Sequence, residues 1–499
     1  MIRQNLDRRD PFLGQEVDVV GVYRTGFDGS RNVRDLTTRD RSRARTAHSH
    51  SRLDALAWWR LWGVAAIAHV VGTFAADVSW RSVANTLLAV VAIVVVRKPS
   101  SALARTGLSA GIVCSAIVET PVIGNHWLVA AGVSAAALVA RPWDQPGDWF
   151  ARFAPTGRLL LLVFYSFAAF SKLNSGFFDP VTSCARFFAN RPLELFGLPT
   201  IGGEATVAAL LPVLAAAIEI SVPILLMITA TRRIGLWIAI AFHLLLTIDV
   251  VQHFFDFTLL LLPLFLLFAA PGELSAFDRR LPRGRHPQVW TGIALSVVLG
   301  ATFPLAETWR GLALLFVWAT WAALALLIVR FLFSGPDGAA NLSLRPVGSG
   351  AMLIAALFVL NGISPYLELK TATAFNMYSN LVTRDGTSNH FVVRTTLPIR
   401  SAQSNPLVIV DSTDPGLREY AEEGLVIVPG NLRSYLETHE VRSVVVETAS
   451  GEVLDLSSSD RERADEVLGP PPSRLLQRVA PYRSFPTSGA CHVSWHAAL

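Results

Sequence analysis

The chain has 499 residues, of which 52% are apolar and only 16% charged, with a formal net charge of +5. This balance argues against a soluble multidomain protein and for a polytopic membrane protein. No basic stripe with interleaved aromatics accompanies the positive charge, so no nucleic-acid partner is expected, and the absence of a P-loop argues against an ATP-driven pump.

Residues 1–50 are polar and basic and lack an apolar h-region. They are expected to form a disordered cytoplasmic N-terminus, with the first span serving as signal anchor. A hydrocarbon core of about 30 Å needs roughly 20 apolar residues per helix. On that measure residues 51–370 contain about eleven candidate spans. In order they are Leu53–Ala75, Val83–Val96, Ala102–Glu119, His126–Ala140, Leu159–Asn174 and Ala205–Thr229, then Ile234–Val251, Phe254–Ala270, Val289–Leu305, Leu312–Phe333 and Ala351–Tyr366. Placing the Arg-rich N-terminus inside also places Arg97, Lys98, Arg105, Arg152, Arg158, Arg232, Arg233 and the arginines from Arg279 to Arg285 inside. The opposite loops hold only Arg81, Arg186, Arg191 and Arg310. This is the positive-inside alternation, and it predicts an extracytoplasmic C-terminal region, 371–499.

Ionisable residues within these runs are costly and mark functional sites or buried pairs. Lys172 closes the run Leu159–Asn174, preceded by the small residues Ser166, Ala168, Ala169 and Ser171. Small residues let a neighbouring helix or a flat ligand approach closely. His126 opens the span before it, so the two are expected at the same membrane side. A desolvated lysine can act as a base and a nearby imidazole can donate to an oxyanion. The structural alternative is a lysine that snorkels to the interface, with His126 and Trp127 in an interfacial belt. Glu219 and His243 sit mid-span, where each needs a buried partner or a cavity; they can serve each other as a structural pair or take part in catalysis. Asp249, His253 and Asp256 have i, i+4, i+7 spacing that would put them on one face of a continuous helix. They flank an expected turn without a fourth ligand, so no metal is predicted. Neither His-Glu-x-x-His nor Cys-x-x-Cys occurs, which argues against zinc-protease and thioredoxin chemistry. Cys184 and Cys491 share the outer side, where an oxidising compartment permits a disulfide; Cys114 lies within a span.

The tail changes character. Short β-branched runs at His390–Ile399, Leu407–Val410, Leu425–Val428, Val444–Thr448 and Glu452–Leu456 predict strands, and Asn431–His439 and Ser473–Val479 predict helices. This is a small α+β region, read as a lid or docking surface over the membrane part, with an independent binding domain as the alternative.

At several of these positions the chain resembles a known family. Asn125-His126 opening a span, the segment Phe164–Asn174 ending in Lys172-Leu173-Asn174, Phe242-His243 followed by Phe254–Phe257, and Pro365–Lys370 with Phe375–Asn380 are similar to the horizontally transferred transmembrane domain. That is the family of the vitamin K-dependent γ-carboxylase. The resemblance runs from about Leu53 to Phe391 and implies an all-α membrane bundle with a quinol cavity. It implies a reduced quinone of the vitamin K or menaquinol type as cofactor. Lys172 would be the base, His126 its catalytic companion, and Asn125, His243 and Tyr165 would contact the quinone. In the family, the quinol anion reacts with oxygen to give a strong base; that base takes a glutamate γ-proton and carbon dioxide adds. The partners implied are the lipid bilayer, the quinol, and a peptide or small-molecule substrate. The alternative is a non-catalytic membrane binding, transport or maturation-accessory protein that keeps the fold.

Overall fold

The computed structural model describes residues 29–73, 80–195, 197–249, 254–280, 342–399, 404–456, 461–470 and 472–493. They fall into two compact units, Met1–Ala47 and His48–Leu499, and the packing described below is that of the second.

The described chain is mostly helical. In order the helices are α1 (Gly29–Gly72), α2 (Trp80–Arg97), α3 (Ala102–Glu119), α4 (Asn125–Val139), α5 (Pro146–Ser171) and α6 (Ser175–Phe178). They continue with α7 (Cys184–Leu195), α8 (Thr206–Met227), α9 (Arg232–Leu246), α10 (Phe254–Phe265), α11 (Glu273–Arg280) and α12 (Ser349–Ile363). Helix α1 starts at Gly29, inside the segment that composition marks as disordered; from Ser30 to His50 it contains neither proline nor glycine.

Among the described residues three helices, α3, α5 and α8, are long and apolar enough to cross a membrane, and α4, α10 with the 3-10 turn after it, and α12 are shorter apolar helices. The predicted spans Val289–Leu305 and Leu312–Phe333 lie outside the described residues. Helix α8 exposes Val207, Leu210, Val213, Leu214, Ile224 and Met227, a surface that suits lipid better than water.

The core of the bundle is aromatic. Trp58, Trp62, Trp149 and Phe153 pack ring on ring, with Trp58–Trp62 stacked at 5.0 Å and Trp149–Phe153 at 4.6 Å. Helix α10 is buried along its whole length. Helix α5 runs beside it, started by Pro146 in its first turn and kept going by Leu159–Val163. It ends at Ser171 with Lys172 as its C-cap, where a cation is favoured by the helix dipole. Asn174 then accepts from Phe177 N and opens α6.

The tail forms a five-stranded antiparallel sheet of order β6-β5-β3-β4-β7. Its strands are β3 (Leu407–Ser412), β4 (Leu425–Ile427), β5 (Val444–Glu447), β6 (Val453–Asp455) and β7 (Phe485–Pro486). A separate hairpin, β1 (Thr383–Arg384) with β2 (Thr387–Ser388), precedes it. Four of the five predicted strand segments and both predicted helices correspond to these elements, the helices as Pro429–Thr438 and Arg474–Val479. His390–Ile399 is the exception: it makes only isolated bridges, because the His390 side chain replaces a ladder. Its Nδ1 accepts from Val392 N and Val393 N, and its Nε2 bonds to Phe170 O.

The segment before the sheet lies against the helical part. Phe391 N donates to Leu173 O, Asn389 O accepts from Ser175 N, and Cys491 is disulfide-bonded to Cys184 of α7. Lys172 thus sits at a helix end covered by the chain's own tail.

Candidate functional site

Tyr165, Ala168 and Lys172 recur at i, i+3 and i+7, so α5 presents them on one face. That face lines a cavity of about 480 Å³. The opposite walls come from Phe188 and Ala189 of α7, Leu211, Ala215, Ile218 and Glu219 of α8, and Phe242 and His243 of α9. Phe254 and Phe257 of α10, with Met377 and Tyr378 of the covering segment, complete it.

Two polar pairs and the Asp249 carboxylate interrupt this apolar lining. Lys172 Nζ is 2.9 Å from Glu219 Oε2, with both side chains largely buried. The same Nζ donates to Ala168 O and Met377 O at 3.3 Å each, which ties the lysine to the last turn of its helix and to the covering segment. Tyr165 Oη and His243 Nε2 are 2.5 Å apart. With Nε2 so engaged, His243 Nδ1 is buried without a hydrogen-bond partner among the described residues.

The cavity therefore brings together Lys172, Tyr165 and His243, three of the five residues expected at the site. Glu219 does not pair with His243: α8 and α9 pack on each other, but the carboxylate meets the Lys172 ammonium of α5 and the imidazole meets the Tyr165 phenol. His126 and Asn125 are elsewhere. Asn125 Oδ1 accepts from Phe375 N at 3.4 Å. His126 Nε2 bonds Asp256 Oδ2 at 2.8 Å. The Phe257 ring packs against both histidines, 5.0 Å from His243 and 5.8 Å from His126.

His126 belongs to a second buried polar array. Asp256 Oδ2 is also 2.8 Å from His69 Nδ1, and His69 Nε2 is 3.2 Å from both Glu119 oxygens. Ser115 and Asn85 donate to Glu119, and Trp127 Nε1 donates to Ser115. Sequence reading passed over His69 and Glu119, although each is an ionisable residue in or beside an apolar run, the signal that singled out Lys172. The predicted face of Asp249, His253 and Asp256 is not formed: α9 ends at Leu246 and α10 begins at Phe254, so Asp249 turns to Arg191 while Asp256 turns to the two histidines. His253 lies outside the described residues.

Gly107-Leu108-Ser109-Ala110-Gly111 has the spacing of a hydrolase nucleophile elbow, but it lies inside α3 rather than on a strand-to-helix turn. Ser109 is buried, and the two glycines face Val91 and Leu88 of α2, which explains them as packing positions.

No protein-family model, curated protein or solved structure matches the chain.

Proposed function

We propose that the chain is a multi-pass protein of the cell membrane, with a cytoplasmic N-terminus and an extracytoplasmic C-terminus. In this reading its cavity takes a reduced quinone of the vitamin K or menaquinol type for chemistry of the γ-carboxylase kind. One observation carries it: Lys172 Nζ is set in the wall of an apolar cavity of about 480 Å³, beside Glu219 and within reach of the Tyr165–His243 pair. Small-molecule sites are mostly apolar clefts of roughly 300–1,000 Å³ with a few placed polar groups. A quinone ring and its hydrocarbon tail suit such a lining, and the unpartnered His243 Nδ1 is a ready donor to a ring oxygen.

A bound quinol supplies an ionisable hydroxyl and reducing equivalents. Lys172 and Glu219 handle the proton. The ammonium can pass a proton to the carboxylate 2.9 Å away, which leaves the pair's total charge unchanged and frees Nζ to accept another. Phe164, Phe177 and Phe257 keep water from this exchange. Carboxylation of a peptide or small-molecule substrate extends the reading through the resemblance at Asn125, His126 and Phe164–Asn174. A binding or accessory role without turnover is favoured by one observation: all three Nζ protons have acceptors, in Ala168 O, Met377 O and Glu219.

Mass spectrometry of lipids that co-purify with the chain, followed by menaquinol oxidation in detergent, tests both readings. The enzyme reading expects a bound quinone and oxidation that is lost in the double variant K172M/E219Q. A bound quinone without oxidation selects the binding role. No quinone, and oxidation equal to the double variant's, rejects the quinone cavity.

A further inference from the structure

We infer that His69, His126 and Asp256 form a binding site for one divalent transition-metal ion of the zinc or iron(II) class, separate from the Lys172 cavity. Their ligand atoms, His69 Nδ1, His126 Nε2 and Asp256 Oδ2, all lie within 4.8 Å of one another. They come from three different helices, α1, α4 and α10, so the fold converges them on one point. Two imidazoles and one carboxylate are the donor set that borderline divalent ions favour, whereas magnesium and calcium prefer oxygen throughout.

The surroundings are those of a built site. Metal-bound histidines commonly donate their second N–H to a carboxylate, which fixes the ring and its tautomer. Glu119 occupies that position at His69 Nε2, 3.2 Å away, and is itself held by Ser115 at 3.0 Å and Asn85 at 3.3 Å. The indole of Trp127 stacks on the His69 ring at 3.5 Å and holds its plane. With His69 Nε2–H directed at Glu119, Nδ1 faces the Asp256 carboxylate either as a second N–H or as a ligand to a cation. Metal binding would replace that proton, which leaves with the solvent. Asp256 Oδ1 is buried and has no hydrogen-bond partner among the described residues, so the carboxylate has coordinating capacity left over.

Entry is available on one side. The His126 side chain is 20% exposed, against 2% for His69 and 4% for Asp256. Its ring folds back over Gly124, where an added Cβ would lie 2.6 Å from Cε1, so glycine is needed for the ring to reach Asp256. Coordination bonds of about 2.0–2.2 Å require the ligand atoms to stand roughly 3.4 Å apart, so the two 2.8 Å contacts would open by about half an ångström on binding.

The test uses the tag-free full-length chain in detergent, stripped with a chelator and then equilibrated with Zn²⁺. Elemental analysis is expected to give one equivalent per chain. H126A, whose side chain is the exposed ligand, and D256N should lose it. E119Q should weaken binding by about 10–100-fold, and K172M/E219Q should retain it. Replacing Zn²⁺ with Co²⁺ should give the visible absorption of a low-coordinate site in the unsubstituted chain. Absence of that absorption overturns the proposal whether or not D256N folds. So does Zn²⁺ retained equally by H126A.

Discussion

Lys172 Nζ and Glu219 Oε2 meet at 2.9 Å across the cavity that separates the end of α5 from the middle of α8. Removing one member of such a buried pair strands the other charge, at a cost of about 3–5 kcal/mol, whereas replacing both by apolar groups is often neutral. K172M and E219L should each lower the unfolding temperature in detergent markedly, and K172M/E219L should recover most of the loss. Simple addition of the two single effects would mean that the charges do not depend on each other.

Lys370 gives the covering segment a pH dependence. It follows α12, its Nζ donates to Thr373 Oγ1 at 3.1 Å, and burial pushes its ammonium down from 10.5 to about 8. The folded chain therefore releases this proton near pH 8 and the unfolded chain near 10.5. Between those values the unfolded state holds the extra proton, so this residue makes stability rise with pH. Wild type should gain stability relative to K370M as pH is raised from 8 towards 10.5. A difference between the two that stays constant over the range would exclude the effect.

Much of this was legible in one dimension, and the limits have physical causes. Lys172 and His243 stand out because ionisable groups are costly in apolar runs, and Tyr165 enters only through the family resemblance; all three line the cavity. Their partners were not legible, because which helix faces which is fixed by packing rather than by spacing; Glu219 therefore met Lys172 instead of His243. His126 lies at the same end of a neighbouring helix as Lys172, yet its bond to Asp256 draws it into a different array. The tail strands were legible from β-branched runs such as Val444–Val446. His390–Val393 also carries β-branched residues, Val392 and Val393, but the imidazole takes their two backbone N–H groups for itself and forestalls a ladder.

The Cys184–Cys491 bond joins residues 307 apart in sequence and fastens the end of the tail to α7. Cross-linking a long loop restricts the unfolded chain, and losing such a bond typically costs about 2–4 kcal/mol. Cys114, on the exposed face of α3, is the free thiol among the three cysteines. Maleimide labelling of unfolded, unreduced chain should add one adduct, and labelling after reduction should add three. C491S should lower the unfolding temperature under non-reducing conditions, while C114S should leave it unchanged. Three adducts without reductant would show that the bond does not form.

Arg105, in the first turn of α3, is one of the charges expected on the inner side, and its contacts give it a structural task. It is 1% exposed, and its guanidinium donates to four carbonyls: Nε to Pro142 at 2.8 Å, Nη1 to Pro99 at 3.1 Å and Ser100 at 3.0 Å, and Nη2 to Asp144 at 2.9 Å. The first two of these residues belong to different connections, Pro142 to the one between α4 and α5 and Pro99 to the one between α2 and α3, so the fork fastens two loops together. Hydrogen bonds from a charged donor contribute about 1.5–3 kcal/mol each, and unpaired buried carbonyls add their own penalty. Lysine keeps the charge but lacks the planar fork. R105K should therefore keep the orientation, read by a reporter fused at the C-terminus, while losing nearly as much thermal stability as R105A. If R105K is as stable as wild type, the residue contributes charge alone and the fork between the loops is dispensable.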